Sequence, residues 1–276
     1  MPQRIRSLGV EAMRITTLGT GHGLSEKNRY CSSTMVEIGD RRYLIDAGAP
    51  MDYLFVCNGW RMSDVRGVFL THMHADHVAL LPPLVENLTC LSGYLKKREG
   101  VVALPPCSIV FPTAAGRRGF TEWLHVLGNP LTDDPEHPFA KGEQLALTVA
   151  SVGEVYRDGD VSVRALRTAH MKDCSPSYAY VMEAEGKRVL FTGDVAKDVH
   201  DLADIFACER FDAVVCELTH FQPDAALGIL RSAKTDLMVF NHICGYEGER
   251  EAWVEAHRAD FPFTAVAATD GQAFEI

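Results

Sequence analysis

From Thr71 to His77 the chain reads THMHADH, so His72, His74, Asp76 and His77 crowd four metal-ligating side chains together. Imidazole and carboxylate suit zinc, manganese or iron and do not choose among them, with zinc the first expectation. Val68, Phe69 and Leu70 read as a buried strand of β-formers, and polar residues begin abruptly at Thr71. The four side chains therefore sit on the loop leaving the strand's C-terminal end, where open α/β sheets place their sites. In a near-extended turn His72 and His74 point the same way, while Asp76 and His77 lie one turn further on and aim from another angle. Such spacing can serve one ion with two residues and a neighbouring ion with the other two. A His-rich surface loop would carry the same letters, but behind a polar tail rather than a core-type strand.

Other His and Asp residues follow hydrophobic strands in the same way. Residues 163 to 168 lead to His170, residues 189 to 191 run into Thr192-Gly193-Asp194, and residues 237 to 240 end in Asn241-His242. Taken singly, these are a surface histidine, a Gly-Asp turn and a helix-cap or core histidine. Four strand ends delivering His or Asp to one edge is a pattern that a scatter of 11 histidines would not produce.

The elements that must position these residues follow from hydrophobic periodicity. Met13 to Leu18 alternates as a strand and breaks into Gly19-Thr20-Gly21-His22-Gly23, where His22 either reaches the site or, the favoured reading, closes the turn. Ser33 to Ile38 and Arg42 to Ile45 form a hairpin around Gly39-Asp40 and end in Asp46-Ala47-Gly48. A helix spans residues 51 to 58. After the THMHADH loop, Val78 to Leu91 has helical spacing interrupted by Pro82-Pro83. Residues 101 to 111 read as two short strand pieces around Pro105-Pro106, and Thr113 to Leu127 reads as a helix. Gly128 to Gly142 is a loop with an exposed His137. Residues 144 to 168 supply two strands, LALTVA and VSVRALRT, separated by an acidic turn at 158 to 160. A hairpin follows around Gly186, from Tyr178 to Met182 and from Arg188 to Phe191. Then come a helix over 199 to 208, a strand Ala213 to Leu218, a helix over 223 to 233, a helix over 246 to 258, and closing strands near 264 to 267 and 272 to 276.

Composition bounds the function classes. The 276 residues are 47% hydrophobic, ample for a large core, and no Pro/Gly/Ser-rich linker divides them. We expect one domain over residues 13 to 276, with residues 1 to 12 an extension or a start-site artefact before Met13. A formal charge of −10, from 27 basic and 37 acidic residues, argues against a general nucleic-acid binder. The short basic run Lys96-Lys97-Arg98 reads as a solvated helix end. No apolar run reaches signal-peptide or transmembrane length, which points to the cytoplasm and to no membrane partner. The eight cysteines show no Cys-x-x-Cys pair and read as reduced core residues without disulfides.

THMHADH resembles the His-x-His-x-Asp-His signature of the metallo-β-lactamase-fold hydrolases, and nearly the whole chain follows that family's order of landmarks. LGTG after the opening strand and SPSYAYVME after His170 resemble the ribonuclease Z and cyclic phosphodiesterase branch. The fold this implies is α/β, a four-layered αβ/βα sandwich. Carried over residue by residue, the resemblance puts His72, His74 and His170 on one metal ion, Asp76, His77 and His242 on a second, and Asp194 between them. It places Asp46 beneath the metal loop as an acceptor for ligand imidazoles, a role that competes with simple turn capping. Two divalent cations would activate a bridging hydroxide for hydrolysis. Asn241-His242-Ile243 departs from the Thr-His-Phe-Ser of ribonuclease Z. Glu217-Leu218-Thr219-His220 falls where that group carries His-Glu-Ala-Thr, with Cys216 in place of the leading His.

Glu217 and His220 join Asp76 as candidate catalytic residues. His220 either protonates a leaving alkoxide or stands behind the ligands while Glu217 holds an imidazole. A bridging Asp with an all-His/Asp ligand set resembles the phosphodiesterase, glyoxalase and lactonase branches rather than β-lactamases. Ribonuclease Z inserts a basic tRNA-gripping arm between the ligands matching His170 and Asp194, whereas here a simple strand pair fills that gap. The expectation is therefore a metal-dependent hydrolase acting on a small phosphodiester. The alternatives are an ester, thioester or lactone hydrolase with Tyr178 or Tyr246 as oxyanion donor, ribonuclease Z-like RNA processing, or an inactive binding protein. Members of this family often form dimers, so the resemblance allows a homodimer, although no patch in the sequence proves it.

Overall fold

A computed structural model describes residues 13–131, 144–171, 175–245 and 248–276. The expectations for residues 1 to 12, for His137 and most of its loop, for Cys174 and for Tyr246 lie outside the described residues. The first half of the chain runs β1 (Arg14–Gly19), β2 (Ser33–Ile38), β3 (Arg41–Ile45), α1 (Met51–Asn58), β4 (Val65–Phe69) and α2 (Ala75–Val78), then α3 (Leu81–Leu88), α4 (Ser92–Glu99), β5 (Cys107–Phe111), α5 (Ala114–Val126) and β6 (Leu145–Val149). The second runs β7 (Gly153–Asp158), β8 (Val161–Thr168), β9 (Ser177–Ala184), β10 (Lys187–Phe191), α6 (His200–Cys208) and β11 (Ala213–Leu218), then α7 (Pro223–Arg231), β12 (Leu237–Ile243), α8 (Glu249–His257), β13 (Thr264–Ala267) and β14 (Ala273–Glu275).

The strands form two seven-stranded sheets, ordered β14-β1-β2-β3-β4-β5-β6 and β13-β12-β11-β10-β9-β8-β7. In the first, β14 through β3 pair antiparallel and β3 through β6 parallel. The second repeats the scheme, antiparallel from β7 to β10 and parallel from β10 to β13. This is the βα pseudo-repeat that the sequence conceals.

Period-two alternation on the strands builds the layers. In β3 and β4, Leu44 and Val68 face α1, α3, α4 and α5, while Tyr43, Ile45 and Phe69 face the second sheet. In β10 and β11, Leu190, Val214 and Cys216 face α6, α7 and α8, while Val189, Phe191 and Val215 turn inward. The result is the α/β/β/α sandwich expected. Parallel strands buried on both faces explain why residues 68–70, 213–216 and 237–240 read as unbroken apolar runs.

Several elements depart from the sequence reading. Residues 101 to 106 form no strand, because the prolines at 105 and 106 cannot donate to a ladder, and only β5 remains. Residues 144 to 168 hold three strands, not two. β6 closes the first sheet, and β7, a partly exposed strand at the edge of the second, hid behind its charged residues. Among the described residues only Cys107 and Cys216 are buried, whereas Cys57 and Cys208 are exposed on the solvent sides of α1 and α6. The run around Cys208 belongs to the amphipathic helix α6, and the run around Cys57 to α1, whose buried residues are Met51 and Phe55. All described cysteines are free thiols. Lys96, Lys97 and Arg98 do occupy the last turn of α4. Among the described residues no single helix is long and apolar enough to cross a membrane.

Three tyrosines stitch the sheets together. Tyr43 donates to Asp158 (2.7 Å), Tyr156 to the Arg66 carbonyl (3.2 Å) and the fully buried Tyr180 to the Leu70 carbonyl (2.9 Å). The Tyr180 bond lies directly under the THMHADH loop. Replacing Tyr180 with Phe leaves that carbonyl buried without its donor and is expected to lower stability by about 1–3 kcal/mol in denaturant unfolding. Unchanged stability would mean that the bond contributes nothing to fixing the loop.

Candidate metal centre

The loop after β4 is held from beneath by Asp46. This residue ends β3 in the left-handed region, at φ 63°, and is 2% exposed. Its carboxylate accepts from the Thr71 amide (2.8 Å), the Thr71 hydroxyl (2.9 Å) and Nδ1 of His77 (2.8 Å). The backbones lock together as well, since the Ala47 amide donates to the His77 carbonyl (2.7 Å) and the Leu80 amide to the Ala47 carbonyl (3.0 Å). Gly48 permits this approach, because a Cβ there would fall 1.9 Å from the Asp76 carbonyl oxygen. Asp46 thus holds a ligand-type imidazole as well as capping a turn.

The structure gathers the seven sequence-predicted ligand residues into one cluster. His72 and His74 lie on the loop, and Asp76 and His77 in the first turn of α2. His170 follows β8, and Asp194 follows β10. His242 lies within β12 rather than beyond it, at the shift where Leu218 pairs with Ile243 after Glu217 pairs with Asn241. It is the extra residue of a β-bulge, at φ 47°, and the bulge swings its ring toward the others.

Asp194 stands between two groups. Its Oδ2 lies 3.4 Å from Nε2 of His72 and 3.5 Å from Nε2 of His170, whose ring nitrogen is 3.4 Å from Nδ1 of His74. Its Oδ1 lies 3.5 Å from Nε2 of both His77 and His242. Those two nitrogens are 3.1 Å apart, and Oδ2 of Asp76 is 3.2 Å from His242. Ligand atoms of His72, His74, His170 and Asp194 lie within 4.8 Å of one another, as do those of Asp76, His77 and His242, and a third set of Asp194, Glu217, His220 and His242 overlaps both.

Two imidazoles are held neutral and two carboxyls ionised, as cation ligands must be, while His77 carries a proton that a cation would have to displace. Burial drives the His72 imidazole down to about 2, with nearby His77 adding to the effect, so His72 is neutral and offers a lone pair. Burial also lowers His170. Burial works to raise Asp76 and Asp194, but hydrogen bonds and charge from His242 and His77 outweigh it and hold both carboxyls below the usual range. Burial likewise opposes the His77 charge, yet Asp194 and Asp46 hold its imidazole well above the ordinary value. His72 Nε2 and Asp194 Oδ1 are buried without hydrogen-bond partners, a costly arrangement that a bound cation would relieve. The donor set fits two divalent cations of the zinc, manganese or iron type.

The Asp194 loop is fixed by its neighbours. Gly193 has φ 54°, and a Cβ there would sit 2.8 Å from the Thr71 side chain, so only glycine fits. Buried Glu217 accepts from the Val195 amide (2.6 Å) through one oxygen. Through the other it accepts from the amides of Thr219 (3.1 Å) and His220 (2.9 Å) and from Nδ1 of His220 (2.8 Å). His220 Nδ1 is also 3.6 Å from Oδ2 of Asp194, and its ring packs 4.5 Å from His170 and 5.4 Å from His242. Burial lowers the His220 pKa, but the Glu217 hydrogen bond and the charges of Glu217 and Asp194 outweigh this and raise it overall. Tyr178 is 6% exposed and packs in the intersheet core with Arg167 over its ring, a placement that lends nothing to a role as oxyanion donor.

Sequence reasoning missed Asp201. Its Oδ2 accepts from the Ala169 amide and the Ala196 amide, both at 3.0 Å, tying the His170 loop to the Asp194 loop. The one sequence signal was an acidic residue in the first turn of the apolar helix α6, which by itself reads as an ordinary helix start.

Removing the Asp46 carboxylate tests the support beneath the loop. Asp46→Asn is expected to weaken zinc binding by roughly 10- to 100-fold in a chelator competition, as loss of such partners usually does. Wild-type affinity would reduce Asp46 to a turn residue.

Comparison with known proteins agrees with this arrangement. Residues 13–101 match the family model described as anti-Pycsar protein Apyc1. The chain is similar to ribonuclease Z of Synechococcus sp. (strain WH7803), with 31% identity over 188 residues that cover 67% of this chain and 51% of that protein. It therefore spans about half the length of the curated relatives it matches. In three dimensions it resembles the metallo-β-lactamase fold protein YhfI from Bacillus subtilis, with a TM-score of 0.70 and 17% identity, covering 96% of this chain and 100% of that one. It also resembles human tRNase Z, short form, with a TM-score of 0.67 and 18% identity, covering 95% and 99% of the two chains. Sheet order, strand-end histidines and these likenesses agree: the chain has the metallo-β-lactamase fold and is similar in sequence to ribonuclease Z.

Proposed function

We propose that residues 13 to 276 form one hydrolase domain that holds two divalent cations, zinc first among them, and cleaves a small phosphodiester. The observation that carries this is Asp194, whose two oxygens face two separate groups of ligand atoms. His72, His74 and His170 would hold the first cation, Asp76, His77 and His242 the second, and Asp194 would touch both. When bound, such a pair lowers the pKa of water toward neutrality and neutralises charge on a phosphoryl group.

The chain's own contribution to proton transfer centres on His220. Glu217 takes up Nδ1 and favours the charged ring, leaving Nε2 to donate. As the bond from phosphorus to the leaving oxygen breaks, the Nε2 proton passes to that oxygen, the attacking water gives its hydroxide to phosphorus and its proton to solvent, and solvent returns a proton to Nε2. Glu217 orients the ring and takes no proton itself, since its oxygens are engaged by amides and by Nδ1.

Two features support a small substrate such as a cyclic nucleotide or cyclic sugar phosphate. Among the described residues, the antiparallel pair β9 and β10 fills the interval between His170 and Asp194, and the net charge is −10. The similarity to ribonuclease Z supports phosphodiester chemistry and makes RNA the second reading. The discriminating assay offers cyclic nucleotides, bis-nitrophenyl phosphate, a precursor tRNA, a lactone and a thioester to metal-loaded protein. Turnover of the small diesters and none of tRNA supports the first reading, whereas tRNA cleavage at higher kcat/KM overturns it.

His220→Ala is expected to keep both metals and to slow poor leaving groups by roughly 10²- to 10⁴-fold, with nitrophenolate esters nearly spared. Equal losses on good and poor leaving groups would remove His220 from acid catalysis. Asp194→Ala is expected to lose metal and hydrolysis together, and two tightly held metals with normal turnover would contradict its place between the subsites.

A further inference from the structure

The loop between β1 and β2 lies over one half of the metal centre, and its anchors are specific. The Ile243 amide donates to the Thr20 carbonyl (2.7 Å), and Gly21 bridges to Ile243. One oxygen of Glu26 is 3.0 Å from Nε2 of His22 and accepts from the Gly245 amide at 3.0 Å. The His22 ring stands edge-on to His242, 6.4 Å away. At Gly23 the backbone comes so near that a Cβ would lie 3.3 Å from Oδ2 of Asp76. The loop therefore touches Asp76 and His242, both in the second subsite, while His74 of the first subsite is exposed.

His242 needs such restraint. A non-glycine residue at φ 47° is strained and persists only where its surroundings dictate it. The Thr219 hydroxyl holds the His242 carbonyl, Thr20 holds the next amide, and Glu26 holds Gly245. Glu26 is the one anchor in this set that is a flexible side chain reaching from the loop itself.

We propose that Glu26 is a positioning residue that, through His22 and Gly245, clasps the β1–β2 loop over the Asp76–His77–His242 subsite and sets the affinity of that subsite alone. The proposal rests on the dinuclear reading above and adds to it an asymmetry, in which the second cation depends on the loop and the first does not.

Zinc titration of the full chain against a fluorescent chelator gives the number of ions and their dissociation constants, with Asp76→Ala and His74→Ala marking which constant belongs to which subsite. Glu26→Ala is expected to weaken the second ion by about 10-fold, the low end of the loss when a ligand's own partner is removed because Glu26 acts one contact further out, and to leave the first unchanged. Glu26→Gln keeps an acceptor for both donors and is expected to restore the second constant, with the melting temperature unmoved in both variants. The proposal falls if Glu26→Ala binds both ions as the wild type does. It also falls if both constants weaken together with a drop in melting temperature. A wild-type protein that binds fewer than two ions would overturn the dinuclear reading itself, and this proposal with it.

Discussion

A carboxylate buried at the seam of two sheets must be matched by positive charge, and Asp194 is that carboxylate. It is 2% exposed, one of its oxygens has no hydrogen-bond partner, and imidazoles approach it from both sides. An unmatched ion in such a place costs several kcal/mol, so the surrounding elements are committed to keeping histidines within reach. Asp46 orients His77, Thr71 contacts His72, Glu217 grips the loop after Asp194, and Asp201 ties that loop to the one bearing His170. Removing any of these braces shifts the position of a charge, which explains why so many buried polar groups cluster here in an otherwise apolar interior.

The repeated sheet scheme gives this cluster its logic. β3 and β10 occupy corresponding places and end in Asp46-Ala47-Gly48 and Thr192-Gly193-Asp194, while their parallel neighbours β4 and β11 lead into Leu70-Thr71-His72 and Leu218-Thr219-His220. The same strand–loop device is used twice with different outcomes. In the first half the aspartate lies beneath the loop and the histidines face the centre. In the second the aspartate itself faces the centre, and a glutamate supports the histidine. Two halves packed face to face bring both loops to one edge, which a single sheet could not do.

Much of this was legible in the sequence because strand ends are marked by an abrupt change from apolar to polar residues. Thr71 after Leu70 and Thr192 after Phe191 are such marks, and the ligand residues stand just behind them. What stayed hidden depended on three-dimensional context. The bulge at His242 lies inside a strand whose polar letters, Asn241-His242, look like its end. β7 is an edge strand with charged residues, so its period-two signal is faint. Asp201 looked like any acidic residue at a helix start, and only the fold brings its carboxylate to the Ala169 amide. Cys57 and Cys208 show the converse error, since an apolar neighbourhood in sequence became the solvent face of a helix.

The most direct measurement is anomalous diffraction from crystals of the protein grown with zinc. Two peaks are predicted, one beside each carboxylate oxygen of Asp194, the first within bonding distance of His72, His74 and His170 and the second of Asp76, His77 and His242. A single peak, or peaks that leave His170 or His242 out of the coordination, would contradict the account.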